Sequence, residues 1–156
     1  MNYRILHIED DMMMQKIYKT RLEADGCSVR DIATGKKGID ATENEQFNFV
    51  LVDHVLPDMT GIDVLRTLSE KGRLKNTIAV MLSASGQEKD AEQALASGAA
   101  AFVLKDKISP RDMLPYLLQL AKAHGMTFAE VAQHLNSEST PPATNASVNL
   151  DRSNSC

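Results

Sequence analysis

The chain has 156 residues, of which 43% are hydrophobic and 24% are charged. This length and apolar content are typical of one globular domain with an extension, and they exclude a wholly disordered chain. The formal net charge is -4, from 17 basic and 21 acidic residues. A mildly acidic balance argues against a dedicated nucleic-acid-binding protein, because such proteins usually carry a strongly basic face.

The cysteines and the N-terminal sequence bear on the compartment. Cys27 and Cys156 are the two cysteines of the chain; they are too few for a disulfide framework and predict free thiols in a reducing compartment. The N-terminal sequence is charged near its start and lacks the apolar core of a signal peptide. No apolar run approaches the ~20 residues that span a bilayer. We therefore expect a cytoplasmic protein with neither a membrane nor a nucleic acid as direct partner.

Five short apolar runs alternate with segments of helical spacing. Each run has about the length of a buried strand, and two of them are apolar continuously, which is typical of strands covered on both faces. Alternation of this kind predicts an α/β fold, in which helices flank a doubly wound parallel sheet on both faces. The runs are Tyr3–Ile8, Val29–Ala33, Phe49–Val52, Ile78–Leu82 and Phe102–Leu104.

The sequence divides into three predicted parts. The five βα units give a domain over residues 1–124. Thr127 and Glu130 form a capping-box pattern, which predicts a short helix over residues 125–135. Residues 136–156 are rich in Ser, Thr, Asn and Pro and are predicted to be a disordered tail or linker. The segment after the domain is too short for a second domain of usual size.

Polar side chains follow four of the apolar runs, where the predicted strands end. In an open parallel sheet, ligands bind outside the carboxyl ends of the strands, at the point where the strand order reverses. With the flavodoxin-like order 2-1-3-4-5, the first and third strands are neighbours at that point, so their acids would crowd together. These residues are Glu9, Asp10 and Asp11 after the first run, Asp53 after the third, Ser83 after the fourth and Lys105 after the fifth.

Clustered carboxylates repel one another, so a cluster that stays ionised needs a cation. An open site of oxygen ligands suits Mg²⁺, which binds through one or two carboxylates together with a phosphate. A lysine ammonium can pair with a carboxylate or a phosphoryl oxygen, and an aspartate can act as a nucleophile. The set therefore favours phosphoryl transfer, where catalysis is mostly positioning and charge neutralisation.

The segments ILHIEDD, LVDHVLPDMTG, MLSA and AAFVLKD resemble the receiver domain of bacterial two-component response regulators. The resemblance covers about residues 3–123. It implies that Asp53 accepts a phosphoryl group from a sensor histidine kinase or a histidine phosphotransfer protein. It also implies that Mg²⁺ is held by Glu9, Asp10, Asp53 and the backbone carbonyl of Val55. Such a protein is not an enzyme in the usual sense, because it catalyses only its own phosphorylation and dephosphorylation.

The resemblance implies further roles around the acceptor. Lys105 and Ser83 would assist the reaction, Ser83 and Phe102 would form the switch, and Pro57 and Gly61 would shape the loop after the acceptor. Phosphorylation would remodel the face formed by the fourth helix, fifth strand and fifth helix. This face would signal to a downstream protein target, and it could form a homodimer.

Three features near the predicted site receive plainer interpretations. Asp11 is expected to cap the first helix rather than to bind metal. His54 is expected to be a partly exposed histidine without a metal or relay role, and the methionines of Met12–Met14 are expected to pack at the start of the helix. Asp106 follows Lys105 where many family members have proline.

Two other functions remain open on the sequence. The first is a degenerate receiver that only binds a partner, although the complete set of acids, Ser83 and Lys105 argues against it. The second is a phosphatase on the same fold that passes through an aspartyl phosphate. Such enzymes commonly carry a second acid two residues after the nucleophile, and this chain has Val55 there.

Overall fold

The computed structural model describes residues 2–126, which form one five-stranded parallel sheet in the order β2-β1-β3-β4-β5. This topology confirms the predicted flavodoxin-like α/β fold. The predicted helix over 125–135 and the predicted tail lie outside the described residues, apart from residues 125 and 126. The strands are β1 Arg4–Ile8, β2 Ser28–Ile32, β3 Phe49–Asp53, β4 Ile78–Ser83 and β5 Ala101–Leu104. The helices are α1 Met12–Ala24, α2 Gly35–Asn44, α3 Gly61–Glu70, α4 Glu88–Ala96 and α5 Pro110–Ala123, with a 3-10 turn at Lys105–Lys107.

Each face of the sheet has its own apolar cluster. Leu51 of β3 lies in one cluster with residues of α1 and α5, whereas its neighbours Val50 and Val52 lie in the other with residues of α2, α3 and α4. Successive side chains of a strand point to opposite faces, so β3 must be apolar at every position to serve both clusters. This explains the continuous apolar run of β3, whose polar residue, Asp53, stands at the end of the strand.

The first turn of α1 differs from the expectation of packing. Met12 and Met13 are 80% and 71% exposed, so the packing prediction was wrong for both, whereas Met14 packs against the core. Ile17 is also exposed, although its neighbour Tyr18 is buried. With 3.6 residues per turn, the inner face of this helix is set by the spacing of Met14 and Tyr18, and Ile17 lies outside it.

Among residues 2–126, no helix combines the length and the apolar character that crossing a membrane requires.

Leu65 of α3 is fully buried in the apolar cluster between α2, α3, α4 and the sheet, so its substitution tests that cluster. We expect Leu65→Ala to lower the free energy of unfolding by about 2–5 kcal/mol, because it removes buried methyl groups and leaves a cavity. Urea unfolding monitored by circular dichroism would measure the change. Ser69→Ala, at an exposed position of the same helix, should stay within about 0.5 kcal/mol. Similar losses in the two variants would contradict the assigned core.

Candidate functional site

The parallel sheet brings the predicted acids together at its carboxyl edge. Ile8 of β1 pairs with Val52 of β3, so the residues that follow them, Glu9 and Asp53, end neighbouring strands at the same level. Glu9, Asp10 and Asp53 each offer a carboxylate oxygen, and these oxygens lie within 4.8 Å of one another. Asp11 has the separate role expected of it, because its carboxylate caps α1 by accepting hydrogen bonds from the Met13 and Met14 N–H groups.

Lys105 reaches the acids from the far side of β4. Its Nζ atom lies 2.8 Å from Glu9 Oε1 and 3.3 Å from Asp53 Oδ1. The Glu9 side chain is only 2% exposed, and a buried charge is costly unless it is paired and hydrogen-bonded. The other carboxylate oxygen of Glu9 accepts a hydrogen bond from the Asp11 N–H at 3.2 Å. The Lys105 ammonium is therefore shared by the carboxylates of Glu9 and Asp53.

The electrostatics of the site are unbalanced. Burial and the negative charge of Glu9 raise the pKa of Asp53 to about 6, and the ammonium of Lys105 only partly opposes this. Partial burial disfavours the charged form of Lys105, but its bonds to Glu9 and Asp53 outweigh that effect and raise its pKa. The excess of negative charge is the condition that a cation would relieve.

The donor set fits Mg²⁺. All three side chains offer carboxylate oxygens, which are the ligands that a hard divalent cation prefers. Asp10 is exposed, whereas Glu9 is buried and Asp53 is partly buried, so one side of the group faces solvent. An open side suits Mg²⁺, because this ion usually keeps several of its waters.

The loop after Asp53 is held by a short ladder of backbone contacts. The Gly61 N–H donates to the His54 carbonyl at 2.7 Å, and Val55 forms an antiparallel bridge with Thr60. A Cβ atom at Gly61 would lie 2.3 Å from the backbone oxygen of Asp53, so the close approach at this position requires glycine. These contacts fix the backbone on both sides of Val55, whose carbonyl is the predicted fourth metal ligand.

Ser83 and Phe102 lie on the other side of the site. The buried Ser83 hydroxyl donates to the backbone oxygen of Ser85 and lies 3.5 Å from His54 Nδ1. The Phe102 ring is fully buried and meets the His54 ring edge-on, with 6.1 Å between centroids. A Cβ atom at Gly86 would lie 2.5 Å from the Phe102 ring. His54 is partly exposed, as expected, and it lies between the two predicted switch residues.

Two residues that shape this region were not identified from the sequence. Gly86 provides the space that the Phe102 ring occupies, and no sequence pattern indicates that contact. The Asp58 carboxylate accepts hydrogen bonds from the Gly35 and Lys36 N–H groups at 2.8 and 2.9 Å. The available signal for Asp58 was the Pro57-Asp58 pair, which is typical of a tight turn, but that signal does not reveal the partner helix.

A family model described as the response regulator receiver domain matches residues 5–117. The chain belongs to this family. Receiver domains of response regulators act in two-component signalling. Among curated proteins, the chain is 26% identical over 133 residues to the transcriptional regulatory protein SrrA of Staphylococcus aureus. That alignment covers 85% of this chain and 54% of SrrA, so the chain spans about half the length of the curated relatives it matches.

Solved structures show the same likeness. A CheY-like response regulator receiver domain protein from Methanospirillum hungatei is 32% identical, with a TM-score of 0.69 and coverage of 78% of this chain and 98% of that one. The receiver domain of the Francisella response regulator 1452 is 23% identical, with a TM-score of 0.71 and coverage of 79% and 99%. At this lower identity the likeness shows the fold alone.

Asp53 should destabilise the metal-free fold when it is ionised. Its pKa of about 6 exceeds the ordinary value of 3.8, so the folded state binds its proton more tightly than the unfolded state does. Stability from this source is present below about pH 4 and is lost as the pH rises through 6. At pH 7 without divalent cations, we expect Asp53→Asn to raise the free energy of unfolding by about 1–3 kcal/mol.

Urea unfolding at pH 4 and pH 7 in the presence of a chelator would test this expectation. The advantage of Asp53→Asn should largely disappear at pH 4, where the wild-type side chain is protonated in the folded state and partly protonated in the unfolded state. Glu70→Gln, an exposed change at the end of α3, is the matched control and should have little effect at either pH. A stabilisation of Asp53→Asn that does not depend on pH would contradict the electrostatic explanation.

Proposed function

We propose that this receiver accepts a phosphoryl group on Asp53 in a Mg²⁺-dependent reaction. The observation that carries the proposal is the grouping of three carboxylates within 4.8 Å, with the Lys105 ammonium in contact with Glu9 and Asp53. The carboxylates suit a cation, and the cation and the ammonium together suit the negative charge of a phosphoryl group. Asp10 and Asp53 would bind the ion with Glu9 and the Val55 carbonyl.

The proposed transfer starts from a phosphohistidine on a sensor histidine kinase or a histidine phosphotransfer protein. A carboxylate oxygen of Asp53 attacks the phosphorus, and an O–P bond forms as the P–N bond breaks. The electron pair of the broken bond leaves with the imidazole nitrogen. Lys105 stabilises the negative charge on the transferred oxygens. Bound Mg²⁺ supplies charge neutralisation and alignment of the phosphoryl group.

Loss of the group completes the cycle. Water attacks the phosphorus and the O–P bond to Asp53 breaks, which regenerates the carboxylate and releases inorganic phosphate together with the protons of the water. The chain therefore catalyses only its own phosphorylation and dephosphorylation and turns over no separate substrate. The exposed hydrocarbon side chain of Val55 cannot act as the general acid that a phosphatase on this fold would need two residues after its nucleophile.

Ser83 and Phe102 form the proposed switch. To bond a phosphoryl oxygen, the Ser83 hydroxyl must leave the backbone oxygen of Ser85. A contact made in only one state is what allows the phosphoryl group to shift the population between two states. Movement of residues 84–86 would release the Phe102 ring from Gly86 and remodel the face of α4, β5 and α5 for a downstream protein. A homodimer through that face and the cytoplasmic location stay predictions.

Exposed apolar side chains mark the proposed docking face for the phosphodonor protein. Among residues 2–126 the exposed large hydrophobic residues are Met12, Met13, Ile17 and Val55. Met12 lies two residues after Asp10 and Val55 lies two residues after Asp53, so both border the acidic group. Met13 and Ile17 are four residues apart on α1 and therefore share a face. Apolar surface beside a reactive site is typical of a protein interface.

The phosphorylation itself can be tested with a small phosphodonor. We expect incubation with Mg²⁺ and acetyl phosphate to add one phosphoryl group, seen as an acid-stable and base-labile mass gain. The gain should be absent when a chelator removes Mg²⁺ and absent in Asp53→Asn. Lys105→Ala should bind Mg²⁺ but transfer slowly, because it lacks the ammonium that neutralises the phosphoryl oxygens.

The same experiment separates the alternatives. An undiminished mass gain in Asp53→Asn would refute the assigned acceptor. No gain in the wild type, with partner binding that persists in Asp53→Ala, would favour a degenerate receiver that only binds. Steady hydrolysis of a phosphate ester with multiple turnovers would favour the phosphatase.

The docking face predicts a selective defect. We expect Met13→Lys to slow transfer from a histidine kinase by about tenfold, because a buried charge would replace an apolar contact at the interface. For this test, a panel of purified, autophosphorylated histidine kinases is screened, and the kinase that phosphorylates the wild-type chain is used. Phosphorylation by acetyl phosphate should be unchanged, since that donor needs no interface. Glu70→Lys adds positive charge at the end of α3 and is the control. Equal slowing with both donors would indicate that Met13 affects the phosphoryl transfer itself rather than the docking of the kinase.

A further inference from the structure

Asp58 lies at the tip of the loop between β3 and α3 and binds the start of a different helix. Its two carboxylate oxygens accept hydrogen bonds from the backbone N–H groups of Gly35 and Lys36, at 2.8 and 2.9 Å. These are the first two residues of α2. The carboxylate is therefore bound through both oxygens, which fixes its orientation as well as its position.

The start of α2 depends on this contact. The first N–H groups of a helix have no partner within the helix. Thr34 caps α2 through the Lys37 N–H, at 3.2 Å, but the first turn of α2 carries no acidic residue of its own. Asp58 supplies both the missing acceptors and the negative charge that the positive end of a helix favours. These hydrogen bonds lower the pKa of Asp58.

Packing holds the same two segments together. A Cβ atom at Gly35 would lie 2.5 Å from Met59 Cγ, so the first residue of α2 lies directly against the residue that follows Asp58. The absence of a side chain at Gly35 is what allows the N–H groups of α2 to reach the loop. Hydrogen bonds and packing therefore act at one place.

The contact of Asp58 with α2 also constrains the loop that begins after the acceptor, Asp53. Leu56 donates its N–H to the Met59 carbonyl at 3.2 Å, which makes a tight turn with Pro57 and Asp58 at its tip. Val55 lies at the base of the turn, in its bridge with Thr60. The tip is held by α2 and the base is held by the close approach of Gly61 to Asp53. The direction of the Val55 carbonyl is thereby determined from both ends of the loop.

We infer that Asp58 is a positioning residue that fixes the β3–α3 loop on α2 and thereby orients the Val55 carbonyl and Asp53 for Mg²⁺. The inference rests on the Mg²⁺ site of the proposed function. It adds a coupling between that site and a helix that contributes no ligand to it. Because coupling between two events is reciprocal, Mg²⁺ binding should in turn stabilise the hydrogen bonds at the start of α2.

The test measures Mg²⁺ affinity by isothermal titration calorimetry on the full chain. We expect Asp58→Ala to weaken Mg²⁺ binding by about threefold to tenfold. This is less than the ~10–100-fold loss that is typical when a direct partner of a metal ligand is removed, because Asp58 acts through the loop backbone. Asp58→Asn retains one acceptor oxygen and should fall between the wild type and Asp58→Ala. At saturating Mg²⁺, the phosphorylation rate of Asp58→Ala should recover, since the defect lies in binding rather than in transfer.

Thr34→Ala is the matched control, because it removes a hydrogen bond from the same helix start without touching the loop. It should destabilise the fold to a similar degree and leave Mg²⁺ affinity unchanged. If Asp58→Ala proves unfolded by circular dichroism, the comparison of Asp58→Asn with Thr34→Ala decides the question. Wild-type affinity in the Asp58 variants, or an equal loss in Thr34→Ala, would overturn the inference.

A second measurement reads the coupling without phosphorylation. Hydrogen exchange of the Lys36 amide, followed by nuclear magnetic resonance, reports the bond to Asp58. On saturation with Mg²⁺ we expect this exchange to slow in the wild type, by the same factor that Asp58→Ala costs in affinity. If Mg²⁺ binds but the exchange rate of the Lys36 amide does not change, the coupling is contradicted. Failure of the wild type to bind Mg²⁺ would instead refute the metal site of the proposed function, and the inference with it.

Discussion

The contact of one ammonium with two carboxylates organises the functional end of this molecule. Glu9 is buried, where an unpaired charge is costly, and Lys105 provides its partner from a position 96 residues away in the sequence. For Lys105 to reach the two acids, β1, β3, β4 and β5 must be paired so that their carboxyl ends lie at one edge of the sheet. The site therefore exists only when these four strands are paired, which ties its chemistry to the fold.

The sheet and the acids are predictable from the sequence because both depend on local patterns. Continuous apolar runs identify strands, and the residue that follows each run must lie at the carboxyl edge. Given the strand order 2-1-3-4-5, the pattern therefore places Glu9 and Asp53 close together and puts Lys105 on the far side of the same edge. The contact of Asp58 with α2 could not be found this way, since it joins residues 22 and 23 positions apart whose meeting depends on how two helices pack. The exposure of Met12 and Met13 was likewise decided by the rotation of α1.

The contacts on the two sides of the site differ in kind. On the side of β1 and β3, Gly61 is in close backbone contact with Asp53 and Asp58 is bound to α2. On the side of β4, the Ser83 hydroxyl rests on a backbone oxygen two residues away and the Phe102 ring rests on Gly86. The first set of contacts suits a fixed acceptor and metal site, and the second suits a part that moves.

The helices continue this asymmetry. The buried residues of α3 include Ile62, Val64, Leu65 and Leu68, whereas those of α4 are the small residues Ala91 and Ala94. Since stabilisation by burial grows with the apolar area removed from water, α4 is attached to the sheet far less firmly than α3. For the proposed switch, the smaller apolar burial of α4 makes this helix, rather than α3, the element expected to move when Asp53 is phosphorylated.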